Sequence, residues 1–149
     1  MVEIIQVAVK KDRKSCVKII TDCLTTINSK YYSPKFIKNL VKKYKRKFMK
    51  RSELEVYVIK IQDKILGTGS ISTRGQISDI FIDPNNHRKG FGQKMMKKLE
   101  EVAKKRNFTE LFLYGSVSAV EFYEKMGYFK VDQLDHGNGD IELRMEKGL

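Results

Sequence analysis

Proline, cysteine and histidine are nearly missing from this chain: each occurs twice in 149 residues. Pro34 and Pro84 both mark element boundaries, and no Pro/Gly/Ser-rich linker, internal repeat or low-complexity tract divides the sequence. A chain of this size fills one core and leaves little for a second, so a single domain over residues 1–149 is expected. Cys16 and Cys23 lie seven residues apart on a helical pattern, which separates them by about 10 Å along the axis. A disulfide needs Cα atoms within about 7 Å, so both read as buried free thiols. Two helical cysteines and two scattered histidines form no ligand set with zinc spacing, and no metal is expected. The apolar runs are too short to cross a bilayer, so no membrane insertion is expected. The first residues alternate like a strand and lack the basic start and cleavage site of a secretory leader, which makes the cytoplasm the expected compartment.

Positive charge is what the chain has in excess. Its formal net charge is +12, a balance that favours polyanions such as nucleic acid, phosphorylated cofactors and acidic membrane surfaces. Most basic residues fall at helix-surface spacing, where a solvated face accounts for them. The densest cluster runs from Lys42 to Lys47, followed by Lys50 and Arg51. Phe36, Leu40, Tyr44 and Phe48 recur beneath it at helical spacing, so a basic outer face on a packed helix explains it as well as a phosphate contact does.

The order of elements reads β-α-α-β-β-β-α-β-α-β-β. Val2 to Val9 alternates as a strand. Cys16, Ile19, Ile20, Cys23, Leu24 and Ile27 make one helical stripe between about Asp12 and Ser29. Ser33-Pro34 has the form of an N-cap followed by proline at the first helical position. Strands follow over Glu55 to Ile61, Ile65 to Ser72 and Gln76 to Asp83. Gly67 and Gly69 mark a thin place in the second of these, open to another backbone or a ligand. A helix over Gly90 to Arg106 and a strand over Glu110 to Tyr114 come next. Ser118 and Glu121 have the capping-box spacing, and Gly127 ends the helix between them and itself. Phe129 to Leu134 and Ile141 to Met145 form a final hairpin. Consecutive hairpins in the middle of the chain exclude a purely parallel doubly wound sheet. A mixed, mostly antiparallel sheet flanked by helices is the expected α/β (α+β) fold.

Chemistry concentrates at His87-Arg88-Lys89-Gly90-Phe91-Gly92, between the strand Ile77–Ile82 and a helix patterned by Phe91, Met95, Leu99 and Val102. Two glycines at a helix start free several backbone N–H groups to converge on one anion, with the helix dipole and Arg88, Lys89 and Lys94 adding positive potential. A dinucleotide fingerprint fails, because Met95 stands where the third glycine belongs, and no Gly-Lys-Ser/Thr of a P-loop is present. The loop alone is equally compatible with a phosphate cradle and with an ordinary glycine-rich turn.

A second segment, Ala119-Val120-Glu121-Phe122-Tyr123-Glu124-Lys125-Met126-Gly127-Tyr128, lies on a short helix leading into a strand. Together the two segments resemble the GNAT superfamily of acetyl-CoA-dependent N-acetyltransferases. That family carries Arg/Gln-x-x-Gly-x-Gly/Ala after its fourth strand and Ala-x-x-Phe-Tyr-x-Lys-x-Gly-Phe/Tyr further on, and the element order matches along essentially the whole chain. The resemblance implies the GNAT acyl-CoA N-acyltransferase fold, acetyl-CoA as cosubstrate, and a primary amine of a small molecule, peptide or protein as acceptor. It implies that backbone amides of His87, Arg88, Lys89, Gly90, Phe91, Gly92 and Gln93 hold the pyrophosphate. It further implies that Ile80, Phe81 and Ile82 pair through their backbones with the pantetheine arm, in a gap between splayed strands. Ser116, Ser118 and Phe122 would line the other side of that gap.

Tyr123 falls at the family's usual general acid, a phenol within reach of the departing thiolate. His87 stands where Arg or Gln is usual, and Ser118 replaces a common Asn and reads as the N-cap of its helix. The family often places Glu or His at positions that fall on Gln76 and Ser78. Neither residue titrates usefully, and alternation puts Asp79 on the opposite face. A water chain ordered by Ser78 is therefore the expected route for the amine proton. Tyr31, Tyr32 and His136 border the family's acceptor pocket. Neither cysteine lies in the cofactor motifs, which favours direct transfer over an acetyl-enzyme. A monomer or homodimer is expected. Two other readings stay open: a non-catalytic acyl-CoA-binding module, and a nucleic-acid-associated protein prompted by the charge.

Overall fold

The computed structural model describes residues 2–149. Seven strands form one sheet: β1 (Glu3–Val7), β2 (Leu54–Ile61), β3 (Lys64–Ser72), β4 (Gln76–Ile82), β5 (Glu110–Ser116), β6 (Phe129–Asp135) and β7 (Ile141–Gly148). Their spatial order is β1-β2-β3-β4-β5-β7-β6, with β4 and β5 parallel and every other neighbouring pair antiparallel. The helices are α1 (Arg13–Thr26), α2 (Pro34–Lys47), α3 (Phe91–Lys105) and α4 (Val120–Lys125). This is the mixed, mostly antiparallel arrangement read from the hairpins, with β7 inserted between β5 and β6.

Period-two alternation assigns the two faces. Val56 and Val58 of β2 pack with Cys16, Ile20, Cys23 and Leu24 of α1. Tyr57 and Ile59, which alternate with them, pack with Met95, Met96 and Leu99 of α3. The helix stripe predicted over Asp12 to Ser29 is real but ends at Thr26, and Asn28–Lys30 forms a separate 3₁₀ turn. Ser33 caps α2 as expected: its side chain accepts from the Phe36 amide at 3.3 Å, with Pro34 opening the helix. Phe36, Leu40, Tyr44 and Phe48 do lie under the lysine-rich face, packed with the α1 cluster.

The capping box read at Ser118 does not form. Ser118 lies inside a 3₁₀ turn over Val117–Ala119, the N-cap of α4 falls one residue later at Ala119, and no side chain caps it. The Ser118 hydroxyl instead shares a 2.9 Å hydrogen bond with Ser116. Gly127 follows α4 at φ +96°, the left-handed C′ conformation expected there.

The thin places in β3 are filled by protein. A Cβ on Gly69 would meet Met95 Cγ of α3 at 2.7 Å, so the missing side chain lets that helix seat on the sheet. At Gly67 a Cβ would lie 2.5 Å from Ile82 Cδ1 and 2.9 Å from the Phe81 carbonyl oxygen. Because the second contact is backbone of the neighbouring strand, it cannot rotate away. Gly67→Ala is expected to destabilise the fold by about 1–3 kcal/mol in urea denaturation. An unchanged midpoint would mean that β3 and β4 are not held at this separation.

Candidate active site

Two residues of β4 pair with β5, Gln76 with Phe112 and Ile77 with Leu113. Both strands continue past that point without pairing, so a gap opens between them. Asp79 accounts for the divergence. Across β3 and β4 the pairs Thr68–Phe81 and Ser70–Ser78 leave Gly69 opposite both Asp79 and Ile80. This is a β-bulge, and Asp79 occupies it at φ +57°. A cavity of about 720 Å³ follows the bent strand, lined by β4 from Gln76 through Ile82 and walled by Tyr123, Ser116 and Ser118 from the β5 side.

At the Ile82 end, Asp83 donates its amide to Leu66 at 2.8 Å. Antiparallel pairs alternate between bonded and non-bonded. Phe81 is thereby a bonded pair with Thr68 and turns its backbone groups into β3, whereas Ile82 turns its own toward the gap. The expectation that all three of Ile80, Phe81 and Ile82 offer backbone to a ligand thus fails at Phe81. The Ile82 carbonyl already accepts from His87 Nε2 at 2.7 Å and Cys23 Sγ at 3.1 Å. Ile80 contributes its side chain to the core under α3.

Beyond Ile82 the chain turns into α3 through a strained loop. Arg88 sits at φ +61° and Gly90, the N-cap, at φ +81° with nothing within 4 Å of where a Cβ would stand. Among the described residues, no acceptor in the chain takes the amides of His87, Arg88, Lys89, Gly90, Phe91, Gly92 or Gln93; the first bonded amide is that of Lys94, to Gly90. Left-handed turns aligned with a helix start make a concave set of N–H donors for an anion. Lys94 is drawn aside by an ion pair with Glu3. Arg88 and Lys89 remain as the basic flank.

Tyr123 packs edge-on to Phe122 and Tyr128, with ring centroids 5.1 and 6.1 Å away. A Cβ on Gly115 would approach its ring to 3.1 Å, so β5 presents a bare surface against which the phenol lies. Burial pushes the Tyr123 hydroxyl well above its ordinary value, keeping it protonated at neutral pH. Phe122 is not part of the cavity wall: it packs over Gly92, where a Cβ would meet its ring at 3.3 Å. It links the glycine loop to Tyr123. Ser116 and Ser118 do line the cavity.

The bulge overturns the alternation argument at Asp79. Its carboxylate accepts from Ser70, which faces Ser78 across the ladder, at 2.7 Å, from Tyr44 at 2.8 Å and from Arg51 at 3.3 Å. It therefore shares the face of Ser78. Burial, reinforced by that carboxylate, holds the Tyr44 phenol well above its ordinary value. The side chain of Asp79 is only 2% exposed and fully engaged, so it is a structural anchor and not a free base. Ser78 Oγ and Arg51 Nε are buried without any hydrogen-bond partner, and both residues line the cavity. Asp79, Tyr44 and Arg51 were missed in the sequence, although an aspartate inside a strand, tolerant of the left-handed region, is the signal of such a bulge.

Cys23 also lines the cavity despite lying outside both motifs. Burial pushes its thiol up to about 12, so it holds no thiolate at neutral pH. Tyr31, Tyr32 and His136 line the same cavity, as does Glu142, which accepts from or pairs with His136 at 2.8 Å. Ser33 donates its amide and hydroxyl to Asp140 at 2.6 and 2.5 Å, and Tyr32 donates to the Ile141 carbonyl at 3.0 Å. These bonds fasten the α1–α2 corner over β7. No cluster of metal-ligating side chains occurs among the described residues, and no helix is long and apolar enough to cross a membrane.

Residues 23–149 match the family model described as an acetyltransferase (GNAT) domain. An uncharacterized N-acetyltransferase of Methanocaldococcus jannaschii is 31% identical over 112 residues, 66% of this chain and 49% of that protein. The chain thus spans about half the length of the curated relative it matches. A GCN5-related N-acetyltransferase structure from Rhodopseudomonas palustris superposes with a TM-score of 0.88 at 18% identity, over 100% of this chain and 97% of its own. The PaiA N-acetyltransferase of Thermoplasma acidophilum, solved in complex with coenzyme A, superposes with a TM-score of 0.79 at 16% identity over 100% of both chains. At these identities the two structures show a shared fold.

Asp79→Ala would leave the Tyr44 hydroxyl and the Arg51 guanidinium facing nothing. Removing one partner of a buried pair costs about 3–5 kcal/mol. A loss of that order in denaturation is expected, and a change under about 1 kcal/mol would show that the bulge does not depend on its carboxylate.

Proposed function

The chain belongs to the GNAT acetyltransferase family, and on that premise we propose that it transfers the acetyl group of acetyl-CoA directly to a primary amine. The observation that carries this reading is the set of unpaired amides at residues 87–93, which begins at the Ile82–His87 end of the cavity that Tyr123 walls. The cosubstrate would bring an activated thioester, and the residues here fit it. The amides of Arg88 to Gln93 would hold its diphosphate, with Arg88 and Lys89 beside it, and the gap past Ile82 would take its arm along Ser116 and Ser118.

In the reaction a C–N bond forms and a C–S bond breaks. Tyr123 supplies a proton at its hydroxyl to the departing sulfur. It is suited to this because burial keeps the phenol protonated and the residue lines the cavity. The acceptor amine must shed a proton, and Ser78 is placed to order the water that takes it: the residue lines the cavity, and its buried hydroxyl is unpartnered within the chain. The high thiol pKa of Cys23 supports direct transfer without an acetyl-cysteine.

Calorimetric titration with acetyl-CoA and a thiol-release screen over an amine panel test the proposal together. Binding with release is expected; no measurable affinity for coenzyme A overturns it, and binding with no release over the panel leaves an acyl-CoA-binding module instead. For Tyr123→Phe, kcat is expected to fall about a hundredfold, the usual worth of a positioned general acid. Affinity for acetyl-CoA should stay within about twofold, because the phenol acts on the leaving group. An unchanged kcat across alkaline pH removes Tyr123 from the mechanism.

A further inference from the structure

The cavity has two ends, and β4 orders them. Ile82 and His87 mark the end beside the unpaired loop amides, and Gln76 and Arg74 mark the other. If the cosubstrate enters past Ile82, the acceptor occupies the end at Gln76; to this extent the inference rests on the acetyltransferase reading. Thr73 donates its amide to the Glu53 carbonyl at 3.0 Å, and Leu54 pairs with Ser72, so the segment holding Arg51 lies against the turn holding Arg74.

Three cations line the cavity: Lys43 from α2, Arg51 before β2 and Arg74 in the β3–β4 turn, the last two at its Gln76 end. Arg51 spends its Nη2 on Asp79, but its Nε is buried and donates to nothing. An orphaned guanidinium N–H carries a full desolvation cost until an acceptor atom meets it. Lys43 and Arg74 are exposed and form no ion pair among the described residues. The cavity's carboxylates are Asp79, matched to Arg51, Glu142, hydrogen-bonded to His136, and Glu53, which is left to stand against the cations. The same sign extends outward. Between Asp22 and Glu53 the sequence carries ten lysines and arginines and no acidic residue. Of these ten, Arg51 alone is ion-paired among the described residues. A helix of one sign over the mouth of a cavity concentrates anions there.

We infer that the acceptor is an amine that also bears an oxyanion, a carboxylate or a phosphate, held by the Arg51 guanidinium with Lys43 and Arg74. The amine points along β4 toward Ser78 and the oxyanion stays at the Gln76 end. The oxyanion can belong to a small amino acid or amino phosphate, or to an acidic side chain of a peptide whose amine is acetylated.

The test uses the full chain saturated with coenzyme A and matched acceptors: 5-aminopentanoate against pentylamine, O-phosphoethanolamine against ethanolamine, and Ala-Glu-Glu amide against Ala-Gln-Gln amide. Dissociation constants come from calorimetry, and KM values from thiol release with saturating acetyl-CoA. The oxyanion-bearing member of at least one pair should bind about tenfold more tightly, the worth of one charge-assisted hydrogen bond. Whether that pair is a free small molecule or the peptide identifies the source. The double variant Lys43→Gln, Arg74→Gln changes only exposed side chains and should erase the difference with its melting temperature and coenzyme A affinity unchanged. Arg51→Lys, which keeps a cation for Asp79 but has no Nε fork, should also erase it. Equal binding within twofold for every pair, no measurable binding of any member, or a preference that survives the double variant overturns the inference. Thiol release onto neutral amines would in that event leave the acetyltransferase reading standing. Tight oxyanion binding with no thiol release would remove that reading and keep the anion site.

Discussion

Everything at this site depends on one aspartate held in a backbone conformation it does not prefer. Asp79 at φ +57° costs on the order of 1 kcal/mol or more in strain. Its carboxylate takes hydrogen bonds from Tyr44, Arg51 and Ser70, and its carbonyl takes one from Thr68 at 2.6 Å. Those four bonds come from α2, the segment before β2, and β3, so the bulge is tied to three separate parts of the chain. Without it, β4 would run on beside β5 and close the gap. With it, the strands part after two residue pairs and a cavity follows the bent edge.

The two ends of that cavity are unlike because the chain leaves β4 differently at each. Past Ile82 it turns through left-handed residues into α3, which leaves a run of amides and a helix dipole facing outward. Before Gln76 it turns tightly out of β3, which brings side-chain cations but no free backbone. Backbone donors suit a diphosphate reached by many short contacts, and separated cations suit a single charged group on a smaller molecule. Tyr123 stands on the wall of this cavity, seated on the bare surface of Gly115 and linked by Phe122 to the glycine loop.

The fold was legible in the sequence because its signals are periodic. Apolar stripes, the Ser33 cap, Gly127 and the hairpin spacing identified every strand and α-helix in order, but none of the 3₁₀ turns between them. The site was legible where the residues themselves carry the motif, at residues 87–93 and at Tyr123. It was not legible where one residue breaks a period. Alternation placed Asp79 on the wrong face because a bulge shifts the register by one residue, which reverses the side on which a side chain emerges. The Ser118 cap failed for a similar reason: a 3₁₀ turn displaced the helix start, and Ser116 offered the hydroxyl a nearer partner. Two partners of the Asp79 carboxylate, Tyr44 and Arg51, lie 35 and 28 residues away in sequence, a distance over which no local pattern speaks.

The proposed binding mode has a direction: a diphosphate at the amides that open α3, and its thioester running along β4 toward Tyr123. Amide chemical-shift mapping of the isotope-labelled chain during a coenzyme A titration tests it most directly. Large, saturable shifts are expected at residues 87–93 and at Ile82, Ser116 and Ser118, with little change at Thr73 to Gln76. Shifts confined to the lysine-rich face of α2, or no saturable shift in the loop, would contradict it.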